Sequence, residues 1–115
     1  MKIAALLCAC AFGWPFLVPD VSAQKAEIVQ ETFTYKRVGD LEIKLDVHRA
    51  DDEEIRPVAV NIHGGALIMG GRGGIGGAGK ALLGAGYCVV SIDYRLAPET
   101  RLPEIIGDIE DAFRW

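Results

Sequence analysis

Two apolar runs joined by a glycine-rich connector constrain most strongly what this chain can become. Pro57 to Ile62 (Pro-Val-Ala-Val-Asn-Ile) and Tyr87 to Asp93 are almost continuously apolar. That is the pattern of strands buried on both faces, not of strands with one wet face. Between them the stretch from Gly70 to Gly79 leads to a short helical segment near Lys80 to Leu83, closed by Gly84 or Gly86. Strand, helix and strand in that order need a crossover connection, which implies parallel pairing. The first run passes directly into His63-Gly64-Gly65-Ala66, and the second into Tyr94-Arg95-Leu96-Ala97-Pro98-Glu99.

The flanks complete an α/β pattern. Phe33 and Tyr35 alternate with Thr32, Thr34 and Lys36, Gly39-Asp40 supplies a turn, and Leu41, Ile43, Leu45 and Val47 alternate with Glu42, Lys44, Asp46 and His48. Period-two alternation on both sides of a turn predicts an antiparallel hairpin with one wet face, on which His48 falls. Beyond the Arg95–Arg101 loop, Pro103 opens a helix at its favoured first position. Ile105, Ile106, Ile109, Ala112 and Phe113 share one face of that helix, with Glu104, Asp108, Glu110, Asp111 and Arg114 elsewhere. The chain is therefore expected to carry a hairpin leading into a parallel sheet with crossover helices. Its last apolar helix face asks for a larger sheet, so residues 24–115 are expected to be the N-terminal portion of a bigger domain.

Half of the 115 residues are hydrophobic and the formal charge is −4, which argues against disorder and against a nucleic-acid footprint. Residues 1–23 have a basic start at Lys2, an apolar stretch from Ile3 to Val18, and Val21-Ser22-Ala23 as a cleavage site. They predict a secretory signal peptide cut near Ala23 and an exported mature chain. With Gly13 and Pro15 interrupting the run, no stable membrane anchor is expected. Leu7-Cys8-Ala9-Cys10 only faintly resembles a lipoprotein box, because little apolar core precedes it. Cys8 and Cys10 leave with the signal, and Cys88 stays alone in an apolar run as a buried, inert thiol. Asp51-Asp52-Glu53-Glu54 lacks the ordered spacing of a calcium loop and reads as a solvated turn.

The chemistry concentrates at the first strand's end. Acyl transfer puts negative charge on the former carbonyl oxygen, and backbone N–H groups aimed at that position stabilise it. Consecutive glycines suit such a loop, because they accept unusual dihedrals and let a substrate approach the backbone closely. His63-Gly64-Gly65-Ala66 resembles the His-Gly-Gly-Gly loop that follows the third strand of α/β-hydrolases. The Asp93–Glu99 segment and the Leu102-Pro103-Glu104 … Asp108 … Ala112-Phe113-Arg114-Trp115 helix resemble the hormone-sensitive-lipase-like and carboxylesterase branch. The resemblance covers roughly residues 41–115.

That resemblance implies a serine hydrolase of carboxylic esters with no metal or cofactor. The amides of Gly64 and Gly65 would act as oxyanion donors, His63 would orient the turn without acting as the base, and Asp93, Tyr94, Arg95 and Glu99 would form a structural hydrogen-bonded loop. Ala66 stands where the family has its third glycine. A nucleophile is expected in Gly-x-Ser-x-Gly, yet the serines are Ser22, in the signal, and Ser91, in mid-strand. The chain is thus expected to hold the oxyanion-hole half of the site and to be inactive by itself. The expected partner is a small ester, with small or carbohydrate-linked acyl groups favoured over long-chain lipids.

Two other readings fit parts of the sequence. Gly74-Ile75-Gly76-Gly77-Ala78-Gly79 satisfies G-x-G-x-x-G, which would suit an exported dinucleotide- or nucleotide-binding module. However, Asp93 lies 14 residues beyond Gly79 where about 20 are expected, and Ala81 replaces the magnesium-holding hydroxyl of a phosphate loop. A loop over the substrate entrance, or a mobile connector, suits this stretch better. The third reading is a non-catalytic remnant.

Overall fold

The computed structural model describes residues 26–115; the signal-peptide expectation and Ser22 lie outside them. Within them are β1 (Ile28–Val38), β2 (Leu41–Ala50), β3 (Val58–Ile62), α1 (Gly76–Gly84), β4 (Cys88–Ile92) and α2 (Leu102–Arg114). The four strands form one sheet in the order β1-β2-β4-β3. β1 and β2 are the expected antiparallel hairpin around Gly39-Asp40, and β3 and β4 pair in parallel, as the crossover demanded. β2 joins the two halves by running antiparallel to β4, with Leu45 opposite Ile92. Among the described residues no helix is long and apolar enough to cross a membrane.

Position in the sheet explains which strand is buried. β4 is flanked on both sides, and Val89, Ser91 and Ile92 are at most 1% exposed. Among the described residues β3, expected to be buried on both faces, lies at an edge of the sheet, with Val58 60% and Ile62 45% exposed. Its apolar sequence describes what the strand can bury, while its neighbours decide what it does bury.

α1 starts at Gly76, four residues earlier than the sequence predicts. Each glycine in a helix costs about 1 kcal/mol relative to alanine, but packing against the sheet, not propensity, sustains most helices in proteins. A side chain at Gly79 would lie 2.6 Å from Cβ of the buried Ile75, so this helix turn needs a bare backbone. The closing residue is Gly86, at φ 89°, where its amide donates to Leu83 O and the Tyr87 amide to Leu82 O. The glycine-rich connector is also tied down. The Arg72 guanidinium bridges Asp46 of β2 and Asp93 at the end of β4, and its amide donates to Asp93 Oδ1 at 2.7 Å.

α2 departs from its amphipathic reading at its centre. Ile105 is buried as expected, but Ile106 and Phe113 are 47% and 62% exposed, and Asp108, assigned to the polar face, is fully buried. The reason is charge. Arg95 embraces Asp108 through Nε (2.7 Å) and Nη2 (2.8 Å), and the Arg95 amide donates to it at 3.1 Å. Lys36 Nζ lies 2.7 Å from the same carboxylate and 2.7 Å from Asp111. Lys36 reaches this face because the β1–β2 register shifts between Thr34 and Lys36, an irregularity that strict alternation does not foresee.

Of three smaller expectations, those for His48 and Cys88 change and that for the acidic turn holds. His48 faces the sheet side that carries Val89, and its Nε2 is buried, with no partner among the described residues, instead of solvated. Cys88 is half-buried, and that burial raises its pKa, which keeps the thiol protonated. The Asp51–Glu54 turn is largely exposed, with Arg56 Nη2 pairing Asp52 at 2.6 Å and Glu54 at 3.1 Å.

Burial works to raise the pKa of Asp108, but the donors from Arg95 and Lys36 outweigh it and hold the carboxyl below the ordinary aspartate value of 3.8. Its contribution to stability is therefore present above that value and is lost as pH falls through the lower native one. Asp108→Asn leaves the Arg95 guanidinium without its carboxylate and Lys36 with Asp111 alone, and is expected to cost about 3–5 kcal/mol. Urea titrations at neutral pH check the size of the effect. Repeated toward acid, they should show the gap between wild type and variant closing.

Candidate active site

The loop leaving β3 turns back on itself at once. The amides of Ile68 and Met69 both donate to Gly65 O, at 3.0 and 3.1 Å, so residues 65–69 form a tight coil at the strand end. Three consecutive residues there have positive φ: Gly65 at 118°, Ala66 at 53° and Leu67 at 66°. Such conformations cost non-glycine residues roughly 1–3 kcal/mol each and persist only where the surroundings impose them. Here the Ala97 amide, from the loop after β4, donates to Leu67 O at 2.8 Å and holds the coil from outside.

Two glycines are required by space. A side chain at Gly65 would stand 2.0 Å from Met69 O, and one at Gly70 would stand 2.3 Å from His63 Nδ1 and 2.4 Å from Gly64 O. Gly64 differs, since a side chain there would meet nothing within 4 Å. The loop therefore presents Gly64 to open space while the backbone behind it is packed solid. Among the described residues, neither the Gly64 nor the Gly65 amide donates a hydrogen bond. Two successive unpaired N–H groups, one beside open space, can receive an anionic oxygen.

His63 and Tyr94 brace this loop. Their rings stack 4.2 Å apart at an interplanar angle of 6°. The Tyr94 hydroxyl donates to His63 O at 2.8 Å, and His63 Nδ1 lies 2.8 Å from Gly64 O. A carbonyl only accepts, so Nδ1 carries the proton. The histidine is thereby committed to its own loop, as the expected turn-orienting role requires.

The loop after β4 is the hydrogen-bonded scaffold that was expected, with one exception. Asp93 holds Arg72, Tyr94 holds His63, and Arg95 holds Asp108. The Tyr35 hydroxyl donates to Asp93 O at 2.7 Å, which ties β1 to the same loop. Glu99 is exposed and has no side-chain partner among the described residues, so it stands outside the network. The Ala97–Pro98 peptide is cis.

The decoys do not assemble. Ser91 is fully buried, and its Oγ accepts from Asn61 Nδ2 at 3.0 Å across the β3–β4 pair, so it cannot stand at a strand-to-helix elbow. Residues 63–73 separate the end of β3 from Gly74, whereas a dinucleotide loop joins its strand directly to its helix. Gly74 O is taken by Asn61 Nδ2 at 3.3 Å. Among the described residues no three His, Cys, Asp or Glu side chains group as metal ligands.

A mixed sheet with helices, and a braced double-glycine turn at the end of its parallel edge strand, define an esterase-like α/β-hydrolase. Comparison with known proteins agrees: esterase B of Lactobacillus rhamnosis superposes with a TM-score of 0.66 at 28% identity, over 76% of this chain and 29% of that one. Esterase 2 of Thermogutta terrifontis shares the fold, with a TM-score of 0.66 at 24% identity, over 74% of this chain and 34% of its own. The family description BD-FAE matches residues 45–115. The chain belongs to the BD-FAE family, an α/β-hydrolase-like esterase family. It is also similar to large fungal enzymes. It is 40% identical over 107 residues to the non-reducing polyketide synthase trt4 of Aspergillus terreus, and 36% identical over 107 residues to prhL of Penicillium brasilianum. The match spans 88% of this chain and only 4% of those synthases.

Sequence reasoning assigned Gly64 and Gly65 to the oxyanion turn, His63 to orienting it and Tyr94 to a structural loop, but it did not mark Gly70 or Arg72. The only sequence signal for either was their place in the glycine-rich connector. Space separates the glycines by test. Gly65→Ala and Gly70→Ala should each destabilise the fold by about 1–3 kcal/mol, because each forces backbone apart at a strained turn. Gly64→Ala should stay within about 0.5 kcal/mol. Thermal melts of the three variants check the ranking.

Proposed function

We propose that this chain supplies the oxyanion-hole half of a hydrolase of carboxylic esters, working by serine acyl-enzyme chemistry. The observation that carries the reading is the pair of undonated amides, Gly64 and Gly65, held on a braced turn at the end of β3. In the tetrahedral transition state the substrate's carbonyl oxygen becomes anionic. Preorganised N–H donors stabilise that charge without having to reorganise, and one such donor is worth roughly 2.7–4 kcal/mol. Family membership and the esterase neighbours favour this use of the loop over a purely structural one.

The attacking serine, the histidine base and its acid partner are contributed from outside these 115 residues, since Ser22 and Ser91 do not fit and His63 is engaged with its own loop. The substrate is a small ester, with small or carbohydrate-linked acyl groups preferred. Residues 1–23 direct export. The similarity to polyketide synthases makes a polyketide-type acyl group the second substrate class to assay.

A chimera tests the reading. Residues 26–115 replace the corresponding part of Lactobacillus esterase B, and hydrolysis of short p-nitrophenyl esters is followed. Turnover is expected, and replacing Gly64 by glycolic acid, which puts an ester oxygen in place of the N–H, should lower kcat by about 10²–10³-fold. A folded chimera whose serine still reacts with a fluorophosphonate but whose kcat ignores the glycolate replacement would refute the assignment.

A further inference from the structure

The orientation of a backbone amide follows from its peptide plane. In a trans peptide the C=O of one residue and the N–H of the next lie in one plane and point in opposite directions. Among the described residues the only cis bond is Ala97–Pro98, so both peptides of the turn are trans. His63 O belongs to the plane that carries the Gly64 N–H. Gly64 O belongs to the plane that carries the Gly65 N–H. Each of these carbonyls is taken by a different side chain: the Tyr94 hydroxyl on His63 O, and His63 Nδ1 on Gly64 O, both at 2.8 Å.

We propose that Tyr94 and His63 are positioning residues that aim the two oxyanion amides separately, Tyr94 setting Gly64 and His63 setting Gly65. The inference rests on the oxyanion reading above and adds to it how the donors are held. Glycine at both positions leaves the planes free to rotate, so something besides the local backbone has to stop them. The hydrogen bond at the carbonyl end does so, and it also polarises the peptide, making the opposite N–H a stronger donor. The device is self-consistent. Tyr94 is 6% exposed and stacked on His63, so the group aiming the first amide also fixes the ring that aims the second. Gly70 belongs to the device because it alone leaves room for His63 Nδ1 to reach Gly64 O.

The test uses the full ¹⁵N-labelled chain in solution and reads individual amides. Tyr94→Phe keeps the ring and removes the hydroxyl. It should move the Gly64 amide proton upfield and leave Gly65 nearly in place. His63→Phe keeps a ring for stacking and removes the Nδ1 donor. It should do the reverse, moving Gly65 and sparing Gly64. Placing 3-fluorotyrosine at position 94 strengthens the hydroxyl as a donor without removing any contact, and should move Gly64 downfield. This arm carries the test if a phenylalanine variant fails to fold.

Opposite-signed shifts confined to the matching glycine support the proposal, because a general loosening of the turn would move both amides in one direction. Equal movement of both amides, or none at Gly64 with 3-fluorotyrosine, overturns it. Methylphosphonate, a tetrahedral anion, is then titrated into the wild-type chain. If the selective shifts are present but neither glycine amide responds to the anion, the oxyanion reading falls while the plane-setting roles of Tyr94 and His63 stand.

Discussion

A single buried carboxylate organises this structure. Asp108 sits on α2 with no exposed surface and collects the Arg95 guanidinium, the Arg95 amide and the Lys36 ammonium. Those partners come from the loop after β4 and from β1, so one group fastens a helix, an edge strand and the loop that braces the candidate site. Taking a carboxylate out of water is costly, and only a full set of charge-assisted donors compensates for it. The cluster therefore acts as a specificity device: α2 has one rotation about its axis that satisfies Asp108. In that rotation Ile105 enters the core while Ile106 and Phe113 stay largely exposed.

The consequence reaches the functional turn. Arg95 is held by Asp108, and its neighbour Tyr94 then meets His63 by both stacking and hydrogen bonding. Two residues further along, the Ala97 amide caps the strained coil at Leu67. Each contact is ordinary in strength. Together they impose positive φ on Ala66 and Leu67, which neither residue would adopt on its own. The strain sits in the turn that leaves β3, and it is supported by packing that begins at an ion cluster on another element. A second cluster, Arg72 with Asp46 and Asp93, does the same for the glycine-rich connector.

Seen this way, the BD-FAE membership describes a scaffold problem as much as a chemistry. The chain spans 29% of the length of esterase B and 4% of the polyketide synthases it matches. Within that span Arg72, Asp93, Arg95 and Asp108 hold backbone in place. The groups that would meet a substrate are main-chain N–H groups, and side chains serve them at one remove. A backbone donor has no rotamers to lose, so its aim is only as good as the peptide plane behind it.

Much of this was legible in the residues. Alternation over 31–48 specified the hairpin, two continuous apolar runs specified parallel strands, and Gly64-Gly65 after a strand marked the turn, because each signal depends on neighbours two to four positions away. Other features were not legible, since they depend on contacts far apart in sequence. Strict alternation put Lys36 on the wrong face, because the register shift in β1 is decided against β2. Helical periodicity put Asp108 on the wet side, because it cannot know that Arg95 and Lys36 converge there. The sequence by itself determined the order of elements, the parallel crossover and the place of the glycine turn. The tertiary structure alone decided which charges are buried, which helix face is the core face and where the two amides point, because those outcomes are settled by neutralisation and packing between residues brought together only by folding.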